Sequence, residues 1–199
     1  MPVKKDREYR AVILPFNLPE NEKRIESDEY VEGYATTFGE PYTLYEFDGV
    51  KYSEKIERTA LDGADMSDVI MQYDHYGKVL ARQSNGTLIV EPDERGLFIA
   101  ADLSKSQASK EMYSEIRSGL VNKMSWAFTV AEDDYSKETR TRIIKRIGKV
   151  YDVSAVSIPA NNDTEIAARS YFDGVIEAEK QELLERKKRI RKLKLMTEV

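Results

Sequence analysis

The chain contains no cysteine and only one histidine, His75, among its 199 residues. Without a thiol it forms no disulfide, no thiolate nucleophile and no zinc site with cysteine ligands. A single histidine also excludes a metal site built from several imidazoles of one chain, and the carboxylates show no metal-ligand spacing. We therefore expect no metal and no cofactor, and the lack of cysteine fits a reducing compartment.

Long apolar runs are absent as well. No segment approaches the roughly 20 apolar residues that cross a bilayer, and the N-terminus, MPVKKDREYR, lacks the apolar stretch of a signal peptide. We therefore expect a soluble cytoplasmic protein that has no membrane partner.

The net charge of −5 is unevenly distributed. Between Lys180 and Leu195 there are eight Lys or Arg and two Glu, or +6, so the rest of the chain carries −11, the difference between −5 and +6. An acidic body is not the charge balance of a nucleic-acid-binding core. The basic tail indicates a separate role or a partner of its own.

Composition along the chain indicates three segments. We predict a mobile N-terminal arm over residues 1–27 with one edge strand, a single domain over 28–172, and a basic helical tail over 173–199. The tail carries a short heptad-like apolar stripe of Ile176, Leu183 and Ile190, followed by Leu193. The stripe lasts under four repeats, too few to specify a coiled coil.

The domain is expected to be α+β and mainly β. Short runs such as EYVEGYATTF, GTLIVEP and GLFIAADL alternate or are rich in β-branched and aromatic residues, with turn residues between them. Their close spacing favours an antiparallel sheet or barrel. One segment has helical periodicity instead, with Ser104 or Ser106 as its N-cap, Gly119 near its end, and a predicted apolar face of Ala108, Met112, Ile116 and Leu120.

Two side chains could form a nucleophile–base pair. His75 follows an apolar strand-like run and precedes Gly77, where a side chain can reach the rim of a sheet. In KMSWAFTV, alternation places Ser125 among small residues, opposite a large apolar face, which leaves room for a substrate over the hydroxyl. The patterns alone favour a structural or surface histidine and a solvent-facing serine, because the chain has many serines, and there is no GxSxG motif of the α/β-hydrolases.

Asp152 is the candidate third member. In KVYDVSAVSI, strand alternation predicts that it shares a face with Ser154 and with three aliphatic residues, Val150, Val156 and Ile158. A carboxylate on such a face needs a partner, and an imidazole would suit it. An ion pair with a nearby Lys or Arg is the alternative. Asp74 competes for the same role, but neighbouring strand residues point to opposite faces.

Four segments carry a family resemblance in one order: DHYGKVLAR, GTLIVEPDERGLFIAADL, IRSGLVNKMSWAF and YDVSAVSIPANNDTEIA. Together they resemble the prohead protease family of tailed phages that build lambda-like heads, over about residues 31–168. The family's histidine matches His75 and its serine matches Ser125. Its acidic position, often Glu, is Asp152 here.

That family is similar to the herpesvirus assembly proteases, which implies a small antiparallel β-barrel flanked by helices, followed here by the charged C-terminal helix. The resemblance further implies a serine endopeptidase that needs no cofactor. Its expected substrates are the scaffolding region of the major capsid protein and the protease itself, cut inside the prohead in the host cytoplasm. The basic tail could dock the enzyme in the prohead or be a self-cleavage region, and a homo-oligomer is left open.

Two other functions are alternatives. One is a non-enzymatic assembly scaffold or chaperone with a protease-like fold. The other is a nucleic-acid-binding barrel, against which the acidic body argues. The turn at 159–163, which follows the strand of Asp152, is a candidate for the oxyanion-stabilising donors.

Overall fold

The protein is described by a computed structural model that covers residues 7–12, 16–19, 22–157 and 162–197. Within these residues the main elements are ten strands and two helices. In chain order they are β1 Glu8–Val12, β2 Tyr30–Thr37, β3 Tyr42–Phe47, β4 Val50–Ile56, β5 Ile70–Tyr73, β6 Tyr76–Arg82, β7 Leu88–Pro92, β8 Gly96–Asp102, α1 Gln107–Arg117, β9 Lys123–Ser136, β10 Thr141–Val156 and α2 Asn162–Thr197.

A long antiparallel hairpin of β9 and β10 forms the centre of the larger sheet, in which the strand order is β1-β9-β10-β4-β3. The first part of β10 pairs in parallel with β4, and its last part pairs in parallel with β5, which in turn pairs with β6. A smaller sheet has the order β2-β8-β7. The end of β10 therefore lies between β9, which carries Ser125, and β5, which leads to His75.

The mainly-β α+β class is confirmed, but the described strands do not form the predicted antiparallel barrel as one closed ring. They form two sheets, and the larger one is mixed rather than antiparallel. The reason lies in β10, which is 16 residues long and has register shifts against β9. Such irregularities bend and twist a strand, so that its two ends can meet different neighbours.

Apolar side chains from both sheets meet in one core. The large residues of β9 that alternation assigned to the interior, Met124, Trp126, Phe128 and Val130, are all buried there together with residues of the smaller sheet such as Leu97 and Ile99. The rings of Trp126 and Phe128 stack with centroids 4.0 Å apart. Burial of this face fixes which side of β9 Ser125 occupies.

Helix α1 begins where the sequence predicts. The Ser106 side chain caps it by accepting a hydrogen bond from the Ser109 backbone N–H, and Met112 and Ile116 are buried. The prediction for Leu120 is wrong, since this side chain is 77% exposed. The helix ends at Arg117, and Gly119 turns the chain with a positive φ of 79°, so the helical face does not extend to Leu120.

Helix α2 begins at Asn162, ahead of the predicted tail boundary at 173. Its Phe172 is fully buried and packs against Tyr45 and Tyr52, with ring centroids 6.2 and 5.2 Å away. Ile176 is buried beside it, whereas Ile190 further along is exposed. At the other end of the chain, the expected edge strand is β1, which pairs with β9. The three segment boundaries themselves stay a prediction.

Candidate active site

Ser125 lies on β9, between the strands β1 and β10. It pairs with Ala11 of β1 on one side and with Ser154 of β10 on the other. The hydroxyl projects from the face opposite Trp126, as alternation predicts. The sheet register therefore presents the Ser125 hydroxyl to side chains that come from β10 and from the end of β5.

His75 lies in a two-residue turn between β5 and β6. Tyr73 and Tyr76 pair across this turn, and both Asp74 and His75 have positive φ, 48° and 60°. Hairpins with two-residue loops favour such backbone angles because their twist matches that of the strands. The Asp74 carboxylate accepts hydrogen bonds from the Ser157 N–H and hydroxyl, each 2.9 Å long, which ties the turn to the end of β10.

Asp152 reaches the site because of a β-bulge. On β10, Val150 pairs with Phe128, but Asp152 pairs with the next residue of β9, Ala127. Tyr151 is thus an extra residue, and it shifts Asp152 onto the face of Ala127 and Ser125. The predicted common face of Val150 and Asp152 is therefore wrong, because the bulge interrupts the alternation.

The three side chains form one hydrogen-bonded chain. The Nδ1 nitrogen of His75 lies 2.5 Å from Oδ1 of Asp152, and Nε2 lies 2.6 Å from Oγ of Ser125. A buried carboxylate beside Nδ1 favours the tautomer with its proton there. Nε2 is then free to accept the Ser125 proton. The structure thus brings together all three residues named from the sequence, while Asp74 is engaged by Ser157.

The predicted open face over Ser125 is absent. Ser125 is only 2% exposed, and the His75 side chain 5%. Strand β1 runs alongside, so that the Arg10 carbonyl oxygen lies 3.0 Å from the Ser125 hydroxyl. The rings of Tyr9 and His75 pack in a T-shaped arrangement with centroids 4.7 Å apart. Because the hydroxyl has one proton, the Arg10 carbonyl and His75 Nε2 compete to accept it.

A buried network of charges holds β1 in place. The Arg10 guanidinium contacts Glu54 at 2.6 Å and Glu8, and Arg142 of β10 contacts Glu8 at 2.7 Å and Glu54 at 3.2 Å. Burial raises the pKa of Glu8, but the two guanidinium groups outweigh it and lower this pKa to about 2. Arg10, although buried, has its pKa raised by Glu54 and Glu8. Each charge in this network therefore has a partner.

Sequence reasoning missed two residues that contact the site. Ser154 donates a hydrogen bond to Oδ1 of Asp152 at 2.7 Å; strand alternation placed it on the face of Asp152 but did not predict this contact. Tyr9 had no signal, because its place beside His75 depends on the pairing of β1 with β9. The candidate oxyanion turn at 159–163 falls largely outside the described residues.

The fold and these contacts define a class: a mainly-β protein with a serine, a histidine and a carboxylate arranged as in serine hydrolases. The sequence-family model of the caudovirus prohead serine proteases matches residues 16–177, and the chain belongs to that family.

Over 84 residues the chain is 33% identical to the "Prohead protease" of Enterobacteria phage HK97, a match that covers 42% of this chain. It spans only 37% of that relative's length. No solved structure matches the chain significantly. In the part of the chain that the structure describes, no helix has both the length and the apolar character needed to cross a membrane.

Proposed function

We propose that this protein is a serine endopeptidase of phage head maturation, with Ser125 as the nucleophile, His75 as the general base and Asp152 as the residue that orients His75. The hydrogen-bonded chain from Asp152 through His75 to Ser125, in a member of the prohead serine protease family, supports the proposal most directly. The chemistry uses no cofactor.

The reaction begins when Ser125 Oγ attacks a peptide carbonyl carbon and its proton passes to Nε2 of His75. Asp152 stabilises the resulting imidazolium through Nδ1. When the tetrahedral intermediate collapses, His75 gives the proton to the leaving amine. Water, deprotonated by His75, then attacks the acyl carbon. The bond to Ser125 Oγ breaks, His75 returns the proton to Oγ, and the second product leaves.

We further propose that the substrates are the scaffolding region of the major capsid protein and the protease itself. The place of action would be the prohead, assembled in the host cytoplasm. The basic end of α2, rich in lysine and arginine, supports a docking role for the tail beyond residue 173. In the same proposal, the protease domain covers residues 28–172 and the N-terminal arm covers residues 1–27. We also propose that the protein is similar in fold to the herpesvirus assembly proteases.

The deciding experiment co-expresses the phage's major capsid protein with wild type, with Ser125→Ala and with Ser118→Ala. Ser118 is the matched control because it lies at the exposed end of α1 and, among the residues that the structure describes, its hydroxyl donates only to the Glu115 carbonyl. Mass spectrometry of the fragments should show capsid-protein cleavage with wild type and Ser118→Ala and none with Ser125→Ala. Processing by Ser125→Ala would support the alternative, a non-enzymatic assembly protein.

A further inference from the structure

Ser154 makes a contact that the proposed reaction does not account for. Its hydroxyl donates to Oδ1 of Asp152 at 2.7 Å, and this is the same oxygen that lies 2.5 Å from Nδ1 of His75. Ser154 is fully buried, and Asp152 is nearly so. One carboxylate oxygen thus receives two donors in a site from which water is largely excluded.

The sheet register places this hydroxyl beside the whole site. Ser154 pairs with Ser125 on β9 and with Gln72 on β5, so it lies between the serine strand and the strand that leads to His75. Ser154 comes after the bulge at Tyr151. Its side chain lies on the same face of β10 as that of Asp152, which is two residues earlier in the chain. The bulge therefore brings both the carboxylate and its hydroxyl donor to the same face.

We propose that Ser154 is a positioning residue, which fixes the carboxylate of Asp152 so that Oδ1 faces His75. A carboxylate with one donor can rotate about its Cβ–Cγ bond, whereas a second donor on the same oxygen from a fixed strand restrains that rotation. The orientation of the imidazole, and hence of Nε2 towards Ser125, depends on this restraint. The inference rests on the proposed role of His75 as base.

The first experiment measures how fast a small fluorophosphonate labels Ser125, which requires the Ser125–His75 pair but no capsid substrate. Ser154→Ala should label about ten- to a hundredfold more slowly than wild type, which corresponds to the loss of one hydrogen bond to a charged group. Ser154→Thr keeps the hydroxyl and should recover most of the rate.

The control for general destabilisation is Val153→Ala. Val153 lies on the same strand and is buried in the core. It pairs with Trp126 on β9, so its side chain lies on the face of the sheet opposite to that of Asp152. Labelling rates are compared at temperatures at which the two variants are equally far below their unfolding midpoints. Val153→Ala should then label at nearly the wild-type rate.

The second experiment follows the Nδ1 proton of His75 by NMR. Because the chain has one histidine, ¹⁵N-histidine labelling of protein without a histidine tag yields the signals of His75 alone. In wild type, the hydrogen bond to Asp152 should protect this proton from exchange with water. In Ser154→Ala the proton should exchange several-fold faster, and Ser154→Thr should restore its protection.

Unchanged labelling and unchanged exchange in Ser154→Ala would overturn the inference, as would an equal loss in Val153→Ala. Failure of the proposed function would give a different result, namely cleavage of the capsid protein by Ser125→Ala in the co-expression experiment, which does not depend on the Ser154 variants. The exchange measurement would in that case still decide whether Ser154 holds the Asp152–His75 pair.

Discussion

Oδ1 of Asp152 lies 2.5 Å from Nδ1 of His75, although 77 positions separate the two residues in the chain. Asp74, the immediate neighbour of His75, does not take this place. Its carboxylate accepts hydrogen bonds from Ser157 and holds the turn. The two carboxylates near His75 thus differ in what they do: one contacts the imidazole, and the other fixes the backbone that carries it.

This difference predicts the effect of replacing each acid. Asp152→Asn keeps the shape but favours the wrong imidazole tautomer, so turnover of the capsid protein should fall by up to about 10⁴-fold. Asp74→Asn is the matched control, because Asn tolerates positive φ, its amide oxygen can still accept from the Ser157 N–H, and its amide nitrogen can donate to the Ser157 hydroxyl. It should retain turnover within a few-fold. A fall of only a few-fold in Asp152→Asn would mean that the Asp152–His75 contact is structural.

The buried charges around Glu8 predict a loss of stability in acid. The pKa of Glu8 falls from its ordinary 4.5 to about 2 on folding, so its contribution is present above pH 4.5 and is lost as the pH falls towards 2. At neutral pH this contribution is on the order of 3 kcal/mol. Urea unfolding of wild type and Glu8→Gln at pH 7, 4 and 3 measures it.

In that experiment Glu8→Gln should be less stable than wild type at pH 7, and the gap between the two proteins should narrow as the pH falls below 4.5. A gap that stays constant across this window would show that Glu8 stabilises the fold through packing rather than through its charge.

Gly96 marks a close approach between the strands of the smaller sheet. A Cβ at this position would overlap the backbone carbonyl of Thr36 on β2, so Gly96→Ala must push two paired strands apart. We expect a loss of about 1–3 kcal/mol in the free energy of unfolding, as in other overpacked sites. Gly174→Ala in α2 is the control, since among the described residues its Cβ would meet no atom within 4 Å beyond its chain neighbours and the helix's own backbone. It should stabilise the protein by about 0.5–1 kcal/mol.

Phe172 attaches α2 to the larger sheet. It is fully buried among tyrosine rings, so Phe172→Ala should lower the free energy of unfolding by about 3–5 kcal/mol. Leu184→Ala, at a half-exposed position further along the same helix, should change it by less than about 0.5 kcal/mol. Denaturant titration compares the two variants. Equal losses of unfolding free energy in the two variants would contradict the inference that Phe172 attaches α2 to the larger sheet.

Local patterns predicted much of the fold because they depend on near neighbours. Alternation in KMSWAFTV identified the buried face of β9, and a spacing of four identified Met112 and Ile116 on α1. The same reasoning wrongly continued the face of α1 to Leu120. A local pattern does not show where an element ends when a turn such as that at Gly119 intervenes.

The sequence by itself determined the chemistry available to this protein: one histidine, no thiol, and ordered motifs of a protease family around Ser125. Tertiary structure decided how these groups meet. The register of β9 against β10 and the bulge at Tyr151 bring Asp152 and Ser154 to the face of Ser125, and the pairing of β1 covers the site. Strand register and bulges depend on hydrogen bonds between segments far apart in the chain, so no local pattern encodes them.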